Sequence, residues 1–275
     1  MKTMNLKKLC AVMLAIVMLL TMAACAGKSN TPAAETPAQL DAPAAEETPA
    51  AEEPAADGAS YKVAIVKQLD HASLDEIANA ISARLDEIAA ENNVTIEYTV
   101  TSGQNDQTIL KQLTDQAIAD GVDAIIPIAT TAAQLAALSA EDSKTPVVYA
   151  AISDPAAAKL TGIDYVTGTS DALNTAFILD MMLKQNPDTA KVGLLYSLSE
   201  PNSATPIADA KAYLEEKGIA YTEQTANTND EVVAAAAALI ADDVDAIFTP
   251  TDNVIMAAEL AIYEDLAKAG IPHYT

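Results

Sequence analysis

Residues 120–136 read DGVDAIIPIATTAAQLA, and residues 242–258 read DDVDAIFTPTDNVIMAA. Both stretches contain an acidic turn, the tetrapeptide VDAI, a short apolar run and a segment suited to a helix. The match extends upstream, where KVAIV at Lys62 corresponds to KVGLL at Lys191. A repeat of this length indicates one duplication of a whole structural unit and excludes a solenoid of short repeats.

The duplicated unit alternates two kinds of segment. Short apolar runs such as KVAIV are typical of strands buried on both faces. The segments between them carry apolar residues at helical spacing. In one of these, Ser73 and Glu76 form a capping-box pattern that predicts a helix N-cap at Ser73. Strands that alternate with helices predict βαβ units with right-handed crossovers and parallel sheets.

We therefore predict an α/β chain of two doubly wound parallel-sheet lobes joined by a hinge. Lobe 1 is expected to span residues 61–158 and lobe 2 residues 159–275. The Gly- and Thr-rich stretch from Lys159 to about Asp188 is expected to link them. The last residues, GIPHYT, suit the start of a further strand. We therefore expect the C-terminal part of the fold to lie beyond this sequence.

The N-terminal residues have the pattern of a secretory signal. Three lysines precede the apolar run from Leu9 to Leu20, and small residues then lead into Cys25. This pattern predicts a lipoprotein signal peptide over residues 1–24, with lipidation of Cys25. The alternative is an ordinary signal peptide beside an incidental cysteine. Residues 25–60 are rich in Ala, Pro and Glu and predict a disordered tether, so the protein is expected outside the cytoplasm, anchored to the membrane.

Composition excludes several functional classes. The net charge of −24 repels phosphate backbones and anionic lipid, so no nucleic acid partner is expected. The two cysteines, Cys10 and Cys25, belong to the predicted signal and its lipidation site, which leaves no thiolate for a metal. Nucleotide-binding, zinc-protease and nucleophile-elbow motifs are missing. We expect no cofactor, no metal and no enzymatic activity.

Candidate binding residues follow from the topology, because ligands of open α/β sheets bind at the carboxyl ends of the strands. Thr130 and Thr131 would lie at a helix N-terminus that suits a carboxylate. Asp252, at the equivalent position of the second copy, would accept hydrogen bonds from an ammonium group. Together they suit a zwitterion such as an amino acid. The alternative is that Thr130 and Asp252 are plain helix caps. His71 either faces the cleft or lies on the surface beside Ser73.

Six short motifs occur in a specific order between residues 61 and 275: HASLDEI, IATTAAQ, AAISDP, VTGTSDAL, YSLSEPNS and FTPTDNVI. On these motifs the chain resembles the solute-binding lipoproteins of bacterial ABC importers, in particular the family of tryptophan- and tyrosine-associated binding proteins. The resemblance implies a type I periplasmic-binding-protein fold that closes like a Venus flytrap. It also implies a small-molecule solute and delivery to an ABC permease in the membrane. The chain is expected to be a monomer.

The resemblance also carries the ligand loops of the family onto this sequence. They fall on Gln68, His71, Thr130, Thr131, Ser153, Asp154, Ser197, Ser199, Asn202, Ser203, Asp252 and Asn253. Tyr196 lies close by and could stack on a flat ligand. The predicted function is capture of a small zwitterionic solute. We expect this solute to be an amino acid, and aromatic amino acids are among the candidates. A receptor that reports to a membrane signalling protein, and a binding protein for a sugar or nucleoside, are the alternatives that the sequence leaves open.

Overall fold

The computed structural model describes residues 58–275. The predicted signal peptide, Cys25 and the predicted tether up to residue 57 lie outside the described residues. Over residues 58–275, none of the helices combines the length and the apolar character that crossing a bilayer requires.

The first sheet has five strands, all parallel, in the spatial order β2-β1-β3-β4-β5. Three helices connect the first four strands. In chain order the elements are β1 (Ser60–Lys67), α1 (Ala72–Glu91), β2 (Thr95–Ser102), α2 (Gln107–Ala119), β3 (Ala124–Ile128), α3 (Thr130–Ser139), β4 (Val147–Ile152) and β5 (Val166–Ser170).

The second sheet has four strands, again all parallel, in the order β7-β6-β8-β9. A short 3₁₀ turn, Pro201–Ser203, follows its first strand. The elements are α4 (Thr175–Gln185), β6 (Lys191–Tyr196), α5 (Ala204–Lys217), β7 (Ala220–Thr225), α6 (Asn229–Ala241), β8 (Ala246–Phe248), α7 (Asn253–Ala269) and β9 (His273–Tyr274). Two parallel α/β sheets with helices on their faces confirm the predicted fold class.

Strand β1 shows why its sequence is a continuous apolar run. Val63 and Ile65 pack against the α1 side of the sheet, with Leu74 and Ala78 of that helix. Ala64 and Val66 point to the opposite face, where α2 and α3 cover them. Because both faces are buried along Val63–Val66, every position in that part of the strand is apolar.

The VDAI repeat has the same structural role in both sheets. The Asp123 carboxylate accepts a hydrogen bond from the backbone N–H of Lys62 at 2.9 Å. The Asp245 carboxylate accepts from the N–H groups of Ala190 and Lys191, both at 2.8 Å. Each aspartate thus fixes the start of the central strand, β1 or β6, and the duplicated sequence is explained by a duplicated fold.

The link between the sheets differs from the prediction. Residues 166–170 were assigned to the linking segment of lobe 2, but they form β5, which pairs with β4 in the first sheet. The sequence VTGTS lacks the apolar run of a buried strand, because this edge strand is largely exposed. It also contains Gly168, where the neighbouring strand leaves no room for a side chain. A Cβ at Gly168 would overlap the carbonyl oxygen of Tyr149. Helix α4 already packs into the second core, so the chain crosses over between Ser170 and Thr175.

Candidate functional site

The strand-end loops of the two sheets contact each other directly. Among the described residues, three side-chain pairs bridge them: Gln68 Nε2 to Glu200 Oε1 at 2.6 Å, the hydroxyls of Ser153 and Thr251 at 3.0 Å, and Thr205 Oγ1 to Asp154 Oδ2 at 3.3 Å. The lobes are therefore closed on each other in this conformation.

A cavity of about 160 Å³ lies between these loops. Its apolar wall includes Leu74, Ile77, Ile128 and Met256. Its polar side chains come from both sheets, namely His71, Ser73, Thr130, Ser153 and Asp171 from the first, with Asn202, Thr251 and Asn253 from the second. A larger cavity of about 670 Å³ lies beside the ends of α4 and α7 and the start of β9, away from the strand ends.

Helix α3 begins beside the smaller cavity without a side-chain cap. Its N-cap residue is Ala129, whose φ of 77° and ψ of 163° are a strained conformation for a residue with a Cβ. Thr130 and Thr131 are the first two helical residues, so the alternative that they are N-caps is wrong. Thr130 lines the cavity, and the Thr131 N–H donates to Gln68 Oε1 at 3.2 Å. The positive end of the helix dipole therefore lies at the cavity.

Helix α7, in the second copy, begins differently. Asp252 is fully buried and caps the helix, because its Oδ1 accepts from the N–H groups of Val254 and Ile255 at 3.0 and 3.1 Å. Its Oδ2 accepts from the Ser197 N–H and the Ser203 hydroxyl at 2.6 and 2.7 Å. Burial raises the pKa of Asp252 above its usual value. With both oxygens engaged inside the lobe, Asp252 fits the capping alternative and not the ammonium acceptor.

The carboxylate that does line the cavity is Asp171, which directly follows β5. Burial raises its pKa, and a hydrogen bond with Ser153 opposes that rise. The residue has an exposed side as well, so its carboxylate lies at the boundary between cavity and solvent. Asp171 is not among the residues predicted from sequence, because the strand before it, β5, lacks the apolar run of the other strands. The motif VTGTSDAL contained the residue, and a strand assignment there would have placed it at a strand end.

Asn202 supplies a free acceptor. It is only 6% exposed, and its Nδ2 donates to the Thr251 carbonyl at 2.6 Å. That bond fixes the orientation of the amide, and no described residue donates to its Oδ1. A buried acceptor without a partner costs about 1–3 kcal/mol unless a donor arrives from elsewhere. Since Asn202 lines the cavity, a bound solute is a suitable donor.

His71 lines the cavity, which is the first of its two alternatives. It also has a role that was not predicted, as the N-cap residue of α1, with Nδ1 accepting from the Ser73 N–H at 3.3 Å. The predicted cap at Ser73 is therefore wrong by two residues. A histidine whose side chain accepts this hydrogen bond replaces the usual Ser, Thr, Asp or Asn.

The remaining predicted residues do not line the cavity. The hydroxyls of Ser197 and Ser199 bond each other at 2.7 Å, and Ser197 also bonds Asn227. Tyr196 packs against the core of its own lobe, and its hydroxyl donates to Glu223 at 2.7 Å, so it is not placed to stack on a ligand. Gln68, Thr131, Asp154, Ser203 and Asp252 also lie outside the lining of the cavity.

Comparison with known proteins identifies the family. The family model described as ABC transporter substrate binding protein matches residues 62–275. The chain belongs to this family. Its members are extracytoplasmic and bind small solutes, and the relatives found are binding proteins, not enzymes.

Three relatives illustrate the match. A curated relative from Clostridioides difficile (strain R20291), called tyrosine-binding protein, is 26% identical over 71% of this chain. The chain spans 57% of the length of that relative. The ABC domain of Streptococcus pneumoniae solved in complex with L-Trp is 29% identical, with a TM-score of 0.71 over 78% of this chain and 73% of that one. A ligand-free, open substrate-binding protein with adhesive properties from Clostridium difficile is 26% identical, with a TM-score of 0.54 over the same shares.

Proposed function

We propose that this chain is the solute-binding component of an ABC importer, anchored outside the cytoplasm through lipidated Cys25. Its solute is a zwitterionic amino acid, aromatic ones included, held in the cavity between the two sheets. Family membership supports the class of function. The amino acid is supported by the relatives named for tyrosine or solved with L-Trp. The signal-like N-terminus before Cys25 supports the anchor.

The unpartnered Asn202 Oδ1 is the observation that carries the proposal. This acceptor and the Asp171 carboxylate both line the cavity, and together they suit an ammonium group. The N-terminus of α3, with the Thr130 hydroxyl, suits a carboxylate. The apolar wall beside them would accept a hydrocarbon side chain. This arrangement replaces Asp252 by Asp171 in the role of ammonium partner.

The size of the cavity bears on the solute. At about 160 Å³ it is smaller than the roughly 300–1,000 Å³ that is usual for ligand pockets. An aromatic amino acid therefore needs a wider cavity than the one here. Hinge motion between two lobes supplies such a change in other binding proteins. The proposal thus includes a ligand-bound conformation in which the cavity is wider while the Gln68–Glu200 contact beside it is kept.

Thermal unfolding of the full chain tests the class of solute. A ligand at 100 times its Kd stabilises by about 2.7 kcal/mol, which gives a readable rise in Tm. We expect tryptophan, tyrosine or phenylalanine to raise the Tm, and myo-inositol or a nucleoside to leave it unchanged. A rise with only a sugar or nucleoside would contradict the proposal.

Calorimetric titration of an Asp171→Asn variant with the stabilising amino acid tests the geometry. We expect Kd to rise roughly 10- to 100-fold, because a hydrogen bond to a charged group contributes about 1.5–3 kcal/mol. Asp188→Asn, at an exposed position of the same residue type, is the matched control and should keep the original Kd. Unchanged affinity in Asp171→Asn would remove this carboxylate from the site.

A further inference from the structure

We propose that Glu200 is a positioning residue that latches the two lobes together and holds the first turn of α3 in place for solute capture. Glu200 does not line the cavity, so it acts through other residues. The latch concerns the lobes themselves. Only its effect on solute affinity rests on the function proposed above.

The contacts of Glu200 join the two lobes. The residue precedes the 3₁₀ turn of the second lobe and is only 3% exposed. Its Oε2 accepts from Asn253 Nδ2 at 2.8 Å, which anchors the carboxylate in its own lobe. Its Oε1 accepts from Gln68 Nε2 of the first lobe at 2.6 Å. Of the three bridging pairs, this is the one that includes a carboxyl group and is buried on both sides.

Gln68 passes the contact on to the cavity. Its Oε1 accepts from the Thr131 N–H at 3.2 Å, and its Nε2 also donates to Asn105 Oδ1 at 3.0 Å. The amide therefore has one orientation, with oxygen toward α3 and nitrogen toward Glu200. When the latch closes, a chain of hydrogen bonds that begins in the opposite lobe holds the first turn of α3. This turn includes the cavity residue Thr130.

Protonation offers a signature that a purely structural residue would lack. The groups that contact Glu200 from both lobes, Gln68 and Asn253, are neutral amides, and among the described residues the titratable group that acts on it is Asp252. Burial raises the pKa of Glu200 to about 7 in the closed state, with repulsion from Asp252 adding to the rise. When the lobes open and water reaches the carboxyl group, we expect its pKa to fall toward the usual 4.5.

The sign of the pH effect follows. A carboxyl group with a raised pKa in the closed state keeps its proton there to a higher pH than in the open state. Its contribution to closure is therefore present below about pH 4.5 and lost as the pH rises through about 7. A difference of this size allows the ratio of closed to open molecules to fall by up to about 10²-fold across that window.

The test measures lobe separation without any solute. Spin labels at Thr108→Cys and Leu198→Cys, both exposed and near the strand ends of opposite lobes, report the distance in the full chain with Cys10 and Cys25 replaced by serine. We expect the distance to lengthen between pH 4.5 and pH 8. Glu200→Gln should lengthen it at low pH and remove most of the pH dependence. Both oxygens of a carboxyl group retain lone pairs and can accept even when one of them carries a proton, whereas the NH2 of an amide cannot accept and does not titrate between these pH values.

Exchanging the two partners provides the rescue. In the double variant Gln68→Glu/Glu200→Gln, the carboxylate at position 68 can accept from Thr131 and from the new amide at position 200, whose oxygen can accept from Asn253. We expect this double variant to restore the short distance between the labels and its pH dependence. Glu215→Gln is the control, because the Glu215 carboxylate accepts from Tyr221 inside lobe 2, and this variant should behave as the parent. The latch proposal would be wrong if the double variant showed the same long distance as Glu200→Gln. It would also be wrong if the distance in the parent did not change with pH.

Solute titrations separate this proposal from the function proposed above. If Glu200→Gln opens the lobes but no amino acid binds the parent, the latch stands and the proposed solute is wrong. If an amino acid binds the parent and Glu200→Gln with equal Kd and equal lobe distance, the solute stands and the latch is wrong. We expect the Kd of Glu200→Gln to be at least about 10-fold higher than that of the parent, and the exchange variant to regain the affinity of the parent.

Discussion

The start of α3 and the start of α7 are equivalent positions of a duplicated unit, but they differ in how the first N–H groups of the helix are satisfied. In α7 the Asp252 side chain caps the helix from within and bonds two further groups of its own lobe. In α3 no side chain caps the helix locally, and the Thr131 N–H bonds Gln68 instead. In the second copy this turn is capped within its own lobe, whereas in the first copy it faces the cavity.

The acidic residue of VDAI shows the opposite case, in which the two copies have kept the same role. Asp123 and Asp245 each bind the backbone at the start of a central strand. The comparison teaches that a duplicated fold conserves the contacts that set strand positions, whereas the turns that face the cleft are free to diverge. Three comparisons of variants test this division.

Removal of the Asp252 carboxylate should have the largest effect. We expect Asp252→Ala to lower the free energy of unfolding by about 3 kcal/mol, because one helix cap is lost and other buried donors lose their acceptor. Urea denaturation measures this. Thr130→Ala, the equivalent substitution in the first copy, should cost less than about 1 kcal/mol, since Thr130 makes no capping bond. Equal losses in the two variants would mean that the helix starts do not differ as described.

The paired aspartates should show a smaller and graded effect. Asp245→Ala removes the acceptor of two backbone N–H groups and Asp123→Ala the acceptor of one. We expect losses of about 2 and about 1 kcal/mol in urea denaturation, at about 1 kcal/mol for each hydrogen bond. Asp188→Ala, at an exposed turn before β6, serves as the control and should stay within about 0.5 kcal/mol of the parent. A larger loss at Asp123 than at Asp245 would contradict the shared role.

The strained residue before α3 should give the smallest effect, and with the opposite sign. We expect Ala129→Gly to raise the free energy of unfolding by about 1 kcal/mol, since glycine adopts the positive φ of 77° without steric cost. Ala136→Gly, inside the same helix, should instead lower it by about 1 kcal/mol. Destabilisation by both variants would show that residue 129 is not strained in solution.

Prediction from sequence succeeded where the signal was repeated and apolar. Both parallel sheets follow from runs such as KVAIV. The rule that ligands bind at strand ends named five residues that line the cavity, and their role in binding stays a prediction: His71, Thr130, Ser153, Asn202 and Asn253. Prediction failed where an element lacked an apolar run. The exposed strand β5 was assigned to a linker, and Asp171 behind it was missed for that reason.

What the sequence determined by itself is the duplicated α/β plan and the set of loops that meet at the cleft, because both depend on patterns within short segments. What only the tertiary structure decided is where each polar side chain in those loops points. Asp252 turns inward because Ser197 and Ser203 supply donors from a distant part of the chain. Glu200 turns toward the other lobe because Gln68 lies opposite. Such choices depend on partners far apart in sequence, and no local pattern records them.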